Sequence, residues 1–242
     1  MQEKIKVITI GDYNISILKN YFKDNENIEF LKLALDESID NLNTNFSKRD
    51  IVFLRTNIEN LEKLLEVGKA LKEKEIITVT ILEEKLAIEN KEVLENSIDT
   101  IFPVNKKDDI ENLFLELIKM IYNIIFERCY INLDVEDVKY MLKDSGISVF
   151  GSLNINKTIS KEDIIKNINY PFYNKTLKDS RKLLVFLDTL KGFVFTEGEL
   201  ITDTLRNESG KTIEDMLFSI RMANRLKNRI ECSFIAGVFK EK

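Results

Sequence analysis

Residues 131–139 read Ile131-Asn132-Leu133-Asp134-Val135-Glu136-Asp137-Val138-Lys139. The stretch lies between a long apolar helix and an amphipathic one, and it carries an amide and two carboxylates on Asn132, Asp134 and Asp137. Asp134 is placed to cap the second helix and Asp137 falls in its first turn, where carboxylates are favourable. The alternative interpretation is that the carboxylates hold a water molecule or a metal ion at a contact between subunits.

The composition excludes several functional classes. The chain has 242 residues, a net charge of -5, two cysteines and no histidine. Histidine-based metal sites and Ser-His or Cys-His nucleophiles are therefore absent, and no global positive field draws the protein to nucleic acid. We expect a cytoplasmic protein with reduced thiols, because the sequence shows no signal-peptide pattern and no apolar run near the roughly 20 residues that span a bilayer.

The first half alternates strands and helices. Apolar runs predict strands at 5–10, 28–35, 50–54, 76–82 and 100–104, and helices at 15–22, 58–74 and 83–96. This βαβ pattern predicts a parallel, Rossmann-like sheet with helices on both faces. Residues 108–126 are apolar nearly all round, which predicts a long buried central helix.

The second half predicts an α+β arrangement with a mixed sheet. Helices are expected at 135–143, 161–167 and 197–206, with Gly146 ending the first, and strands at 147–150 and 183–187. The apolar runs 213–223 and 229–238 are joined by a short polar turn, so we expect them to pair antiparallel. The predicted divisions are a nucleotide-binding-type domain at 1–107, the central helix at 108–127 and an α+β domain at 128–242.

Phosphate-binding motifs are poorly supported. Gly210-Lys211-Thr212 lacks the second glycine of a P-loop and lies between a helix and a strand rather than the reverse. Gly11 ends the first strand, where glycine-rich turns bind nucleotides, but Asp12 and Tyr13 follow it. A carboxylate there repels phosphate and the tyrosine blocks close approach of the backbone.

The order of elements, with the loop after the central helix, resembles the tubulin/FtsZ superfamily, and FtsZ most closely. In FtsZ this loop carries an Asn-x-Asp-x-x-Asp pattern, inserts into the nucleotide pocket of the next subunit and helps to position the hydrolytic water. Asn132, Asp134 and Asp137 match that pattern. Weaker similarities lie in the first two strands, in Asp99-Thr100-Ile101 with Pro103 and Asn105 near the guanine contact, in Gly151-Ser152 and in the last strand 229–239.

The departures from the family concern nucleotide binding. The glycine-rich loop after the first strand is reduced to Gly11-Asp12-Tyr13-Asn14, and Arg55-Thr56-Asn57 begins the segment that replaces the glycine-rich signature loop. The stretch between Asp36 and Asp50 is short, and we expect no linker with a C-terminal peptide of the kind that the family carries. We expect Tyr13 and the side chains of residues 58–61 to fill the nucleotide cavity.

These similarities and departures leave three functional alternatives. The first is a protein without GTP that docks its loop face on FtsZ or a paralogue and caps or regulates filaments, with Asn132, Asp134 and Asp137 completing the partner's site in trans. The second is a divergent self-assembling GTPase whose phosphate contacts come from Thr56, Asn57 and nearby amides. The third is a structural filament or interaction module without nucleotide. We expect no cofactor unless the second holds, no metal, and no nucleic-acid or membrane partner.

Overall fold

The computed structural model describes residues 3–42, 44–57, 60–105, 110–156, 160–170, 176–190, 193–223 and 229–239. The chain divides into two compact units. The first unit contains Met1–Glu116 and Leu142–Ile147, and the second contains Leu117–Met141 and Ser148–Lys242.

The first unit is built on a six-stranded sheet in which all strand pairs are parallel. The order is β2-β1-β3-β4-β5-β6, with strands β1 Ile5–Ile10, β2 Ile28–Leu33, β3 Ile51–Thr56, β4 Ile77–Glu83, β5 Thr100–Val104 and β6 Gly146–Ile147. Every residue of β1, β3 and β5 is buried, as expected of strands covered on both faces. The predicted parallel sheet is therefore confirmed.

Among the described residues of this unit, five α-helices begin: α1 Ser16–Tyr21, α2 Leu61–Glu73, α3 Glu84–Glu89, α4 Lys91–Ser97 and α5 Ile110–Phe126. The predicted charged helix at 83–96 is in fact α3 and α4, which meet at Asn90. Eight of the 17 residues of α5 are buried and two, Asn112 and Glu116, are exposed, so the helix is less fully buried than the sequence predicts. The two units divide between its residues Glu116 and Leu117.

A buried lysine fixes the short segment that follows β2. The described part of residues 34–50 contains one 3-10 helix, Ile39–Asn41. The Lys6 ammonium group, 3% exposed, donates to Glu29 Oε2 at 2.9 Å, Thr44 Oγ1 at 2.6 Å and Asn45 O at 2.9 Å. Because this cation is fully paired, it can lie inside the protein and hold residues 44–45 against the sheet.

The second unit contains a mixed four-stranded sheet in the order β7-β10-β8-β9. Its strands are β7 Val149–Asn156, β8 Ser180–Thr189, β9 Asp215–Met222 and β10 Arg229–Phe239, and its helices are α6 Val135–Leu142, α7 Lys161–Asn167 and α8 Phe195–Glu208. Gly151 on β7 faces Phe234 on β10, and a Cβ atom on Gly151 would lie 2.0 Å from the Phe234 ring. The glycine therefore makes room for a buried aromatic ring.

The predicted antiparallel hairpin of residues 213–223 and 229–238 is wrong. Strand β9 pairs in parallel with β8, and β10 pairs antiparallel with β8 and with β7. The reason is the crossover through α8, which returns β9 to one edge of β8 in the same direction and leaves the other edge for β10.

The turn after α6 also differs from the prediction. The helix ends at Leu142, Asp144 takes a left-handed conformation with φ 49°, and Gly146 begins β6 instead of ending the helix. Asp99 Oδ1 accepts from Asp144 N at 3.4 Å, and Glu95 Oε1 accepts from Ile147 N at 3.2 Å. The chain then enters the second sheet at Val149, so the predicted strand at 147–150 is two strands in two sheets. Over the part of the chain described, the helices are too short or too polar to cross a membrane.

Candidate functional site

The two carboxylates of the loop form a reciprocal cap at the start of α6. Asp134 Oδ1 accepts a hydrogen bond from Asp137 N at 2.9 Å, and Asp137 Oδ2 accepts one from Asp134 N at 3.0 Å. This is the geometry of a capping box, with aspartates at both positions. The interpretation of the pair as a helix cap is therefore confirmed. One carboxylate oxygen of each aspartate accepts a hydrogen bond in this cap.

Asn132 stabilises the turn that precedes the cap. Its side-chain oxygen accepts from Cys129 N at 3.1 Å, and the side chain is exposed. The neighbouring Ile131 forms a bridge with Ile220 of β9, and its carbonyl accepts from Ser219 Oγ at 2.8 Å. The loop thus presents Asn132 and Asp134 to solvent from a backbone fixed on both sides.

The loop brings two carboxylates close together, fewer than a metal site of its own requires. Within the described ranges, no group of three or more cysteine, aspartate or glutamate side chains is close enough together to bind one. Asp134 is exposed and Asp137 is half-buried, and two carboxylates supply too few ligands for a dedicated site. A water or cation at this loop therefore needs further ligands from another molecule.

The first unit has its topological switch point between β1 and β3, because β2 and β3 lie on opposite sides of β1. In open parallel sheets, ligands bind in the crevice beyond the carboxyl ends of such strands. Gly11 follows β1 with φ +72°, and a Cβ atom on it would lie 3.0 Å from the Asn60 side-chain nitrogen. Asp12 is exposed and pairs with Lys32 at 2.6 Å, which lowers the Asp12 pKa through the hydrogen bond and the lysine charge.

Beyond β3, Thr56 and Asn57 continue the same crevice. Thr56 is buried and its hydroxyl donates to Ile10 O at 3.4 Å, so it joins the ends of β3 and β1. Asn57 is exposed, and its carbonyl accepts from Asn60 N at 3.1 Å just before α2. Ile58 and Glu59, expected to help fill the cavity, lie outside the described residues.

Side chains from three elements meet at this switch point. Arg55, 5% exposed, lies with its guanidinium carbon 4.0 Å from the centre of the Tyr13 ring, and its Nη2 donates to the Tyr13 hydroxyl. Its Nη1 donates to Thr56 O at 3.0 Å and Ile81 O at 3.2 Å. Glu111, in the first turn of α5, is hydrogen-bonded to the same hydroxyl. We call Tyr13, Arg55 and Glu111 the switch-point network.

Burial dominates the electrostatics of this network. It lowers the pKa of Arg55 and raises that of Tyr13, in both cases against the attraction between the two groups. It also raises the pKa of Glu111, opposed by the Tyr13 hydrogen bond and the Arg55 charge. A positive and a negative group thus lie near the same tyrosine hydroxyl and influence each other's pKa, although no ion pair joins them directly among the described residues.

Asn105 lies in a second, separate feature of this unit. It is exposed after β5 and lines a cleft of about 530 Å³ at the carboxyl ends of β4 and β5. The remaining lining is mainly charged and comprises Glu83, Glu84, Lys85, Ile88, Glu89 and Val104. The cleft is therefore acidic.

The sequence did not single out Glu111. It stands near the start of an apolar helix, where an acidic residue is ordinary because it favours the helix N-terminus. For Arg55, the sequence indicates only that it begins the segment that stands in place of the glycine-rich signature loop. Its position at the end of a fully buried strand is the signal that could have identified it, since a buried arginine requires partners.

No protein-family model and no curated protein matches the chain. Solved structures do match. A tryptophan-to-tyrosine mutant of FtsZ from M. jannaschii superposes with a TM-score of 0.72 and 14% identity, over 98% of this chain and 91% of that chain. An empty FtsZ dimer from M. jannaschii gives 0.73 and 14%, over 98% and 89%. TubZ of Bacillus thuringiensis serovar israelensis, solved as GDP-form protofilaments, gives 0.65 and 12%, over 98% and 84%.

At this level of identity the similarity establishes the fold alone. The parallel six-stranded sheet, the long helix α5 and the mixed four-stranded sheet all agree with it. This chain has the FtsZ/tubulin fold.

Proposed function

We propose that this protein docks through the loop at Asn132, Asp134 and Asp137 on the nucleotide-carrying face of an FtsZ-like partner, and that it caps or regulates the partner's filaments. The proposal is carried by the contrast between its two site regions. The switch-point crevice contains Tyr13 over Arg55, whereas the loop is exposed and fixed in position. A subunit of this kind offers a docking loop and places a tyrosine ring over an arginine where a nucleotide would have to enter the switch point.

The crevice at the switch point supports the claim that this protein has no nucleotide site of its own. A nucleotide there would have to displace the Tyr13 ring and place its phosphates beside the Glu111 carboxylate. Phosphate cradles are built from glycine-rich backbone, and Gly11 is followed by Asp12 and Tyr13. We infer that the protein binds no GTP.

The loop supports the claim that this protein docks on a partner. Because the capping box already fixes its backbone, docking orders few additional groups and costs little conformational entropy. The carboxylates of Asp134 and Asp137 would repel a partner's phosphates in direct contact. We infer that a water molecule or a nucleotide-bound Mg²⁺ of the partner lies between them, as in phosphoryl-transfer sites.

Two of the similar structures are assemblies of several subunits. The M. jannaschii FtsZ was solved as a dimer and the B. thuringiensis TubZ as protofilaments. A protein with the same fold that docks at only one end would stop the growth of such an assembly.

The test is assembly of FtsZ from the same cell, and of M. jannaschii FtsZ, with substoichiometric amounts of this protein. Light scattering and sedimentation should show less polymer, since each capped end stops growing. Asp134→Asn, which keeps a good cap residue, should relieve this effect. The matched control is Asp163→Asn, which alters the capping box of α7 with Ser160 and should leave the effect intact. Unchanged polymer with both FtsZ proteins contradicts the proposal.

A further inference from the structure

Three exposed apolar side chains lie together beside the loop. Tyr130 is 60% exposed, Val194 54% and Phe195 48%, and the rings of Tyr130 and Phe195 are 5.4 Å apart. We call these three residues the aromatic patch. Single exposed apolar residues are common, but a cluster that includes two aromatic rings is typical of interaction surfaces.

The patch is fixed by hydrogen bonds of its backbone. Tyr130 N donates to Ile220 O of β9 at 2.6 Å, directly before the bridge between Ile131 and Ile220. Val194 N donates to Glu197 Oε2 at 3.1 Å at the start of α8. Both halves are thus built on regular elements, and docking on them requires little rearrangement.

The surroundings of the patch are acidic. Segments 127–137 and 193–199 contain six acidic residues and one basic residue, Arg128. Two of the six carboxylates, those of Glu136 and Glu127, are paired with cations outside these segments. Asp134 and Glu199 are exposed, and Glu199 stands one helical turn after Phe195 on α8. An apolar centre with an acidic rim is complementary to an apolar surface that carries lysine or arginine, whose cations also bind aromatic faces.

We propose that the aromatic patch is the anchor of the docking surface, and that the FtsZ-like partner places an apolar segment with a lysine or arginine on it. This inference rests on the proposed function and names the partner chemistry at the same surface. A second copy of this chain is a poorer occupant, because each copy carries a net charge of -5 and like charges repel.

The experiment measures the affinity of the labelled protein for FtsZ of the same cell by fluorescence anisotropy. The double variant Tyr130→Ser/Phe195→Ser should bind about tenfold more weakly or worse, as expected for aromatic hot spots. Tyr21→Ser is the matched control, since Tyr21 is 54% exposed and lies 4.9 Å from the Phe22 ring. It should bind like the wild type.

A second variant tests the inference independently in case the double variant does not fold. Glu199→Lys should weaken binding most at low salt, because it reverses one charge of the acidic rim. Wild-type binding with unchanged affinity in the patch and rim variants overturns this inference and leaves the proposed function standing. No wild-type binding overturns both. A wild-type dimer in sedimentation equilibrium that the double variant dissociates overturns the assignment of FtsZ as occupant.

Discussion

Arg55 and Tyr13 are stacked, with the guanidinium carbon 4.0 Å from the ring centre. The arginine is the penultimate residue of β3, the tyrosine follows β1, and these two strands flank the switch point of the sheet. The contact therefore joins two strand ends across the crevice in which open parallel sheets bind ligands. Because this crevice is occupied by side chains of the protein, we expect the loop to act on the nucleotide of another molecule.

Guanine nucleotide binding follows most simply from this contact. We predict that titration with labelled GTP at micromolar concentrations shows no saturable signal, because the Tyr13 ring lies over Arg55 in the crevice and the Glu111 carboxylate repels phosphate. TubZ from B. thuringiensis, solved in a GDP form, is the positive control. Saturable binding that unlabelled GTP displaces would favour the divergent GTPase instead.

The half-buried Glu111 predicts a specific pH dependence of stability. Its pKa is raised above the ordinary value of 4.5, so the folded state binds the proton more tightly than the unfolded state. Stability from this group is therefore greatest at low pH and is lost as pH rises from 4.5 through the raised pKa. In the Glu111→Gln variant, the urea concentration at the unfolding midpoint should change less with pH in that window. Above the window the variant should be more stable relative to the wild type than it is below it.

Glu116→Gln on the same helix is the control for this measurement, since Glu116 is exposed. A Glu111→Gln variant that keeps the full wild-type pH dependence would show that Glu111 is not buried in this way.

The capping box predicts that stability and docking can be separated at Asp134. Asp134→Ala should lower the free energy of unfolding by about 1 kcal/mol, because the Asp137 amide loses its acceptor. Asp134→Asn should change it by only a few tenths of a kcal/mol, because asparagine caps helices equally well. Thermal unfolding of both variants measures this difference. Equal losses would mean that the carboxylate charge, rather than the cap, stabilises α6.

The Lys6 ammonium group predicts a large stability effect far from either site. Lys6→Met should cost on the order of 3 kcal/mol, because it leaves the Glu29 and Asp50 carboxylates without their buried cation. Urea unfolding at constant pH measures the change. Lys32→Met is the matched control: its partner Asp12 is 96% exposed, and no measurable change is expected. A cost for Lys32→Met as large as for Lys6→Met would contradict the burial argument.

The sequence predicted the parallel sheet well because strands buried on both faces are continuous apolar runs, as in Ile51-Val52-Phe53-Leu54. It predicted the helix cap because the Asp134 and Asp137 spacing is local. The short connection between β9 and β10 suggested that these two strands pair with each other. In the sheet β8 lies between them, because strands that are neighbours in sequence need not be neighbours in the sheet. The switch-point network was missed for the same reason, because Tyr13, Arg55 and Glu111 are far apart in the chain.

Crosslinking from the loop tests the central claim most directly. A photoreactive probe on Asn132→Cys, with Cys129 and Cys232 buried, reports what the loop contacts in a mixture with FtsZ and GTP. The same probe on Ile165→Cys of α7 is the control, since Ile165 is also exposed. We predict adducts from position 132 only, mapped to the nucleotide-carrying face of FtsZ. Adducts from neither position, or equally from both, would contradict docking through this loop.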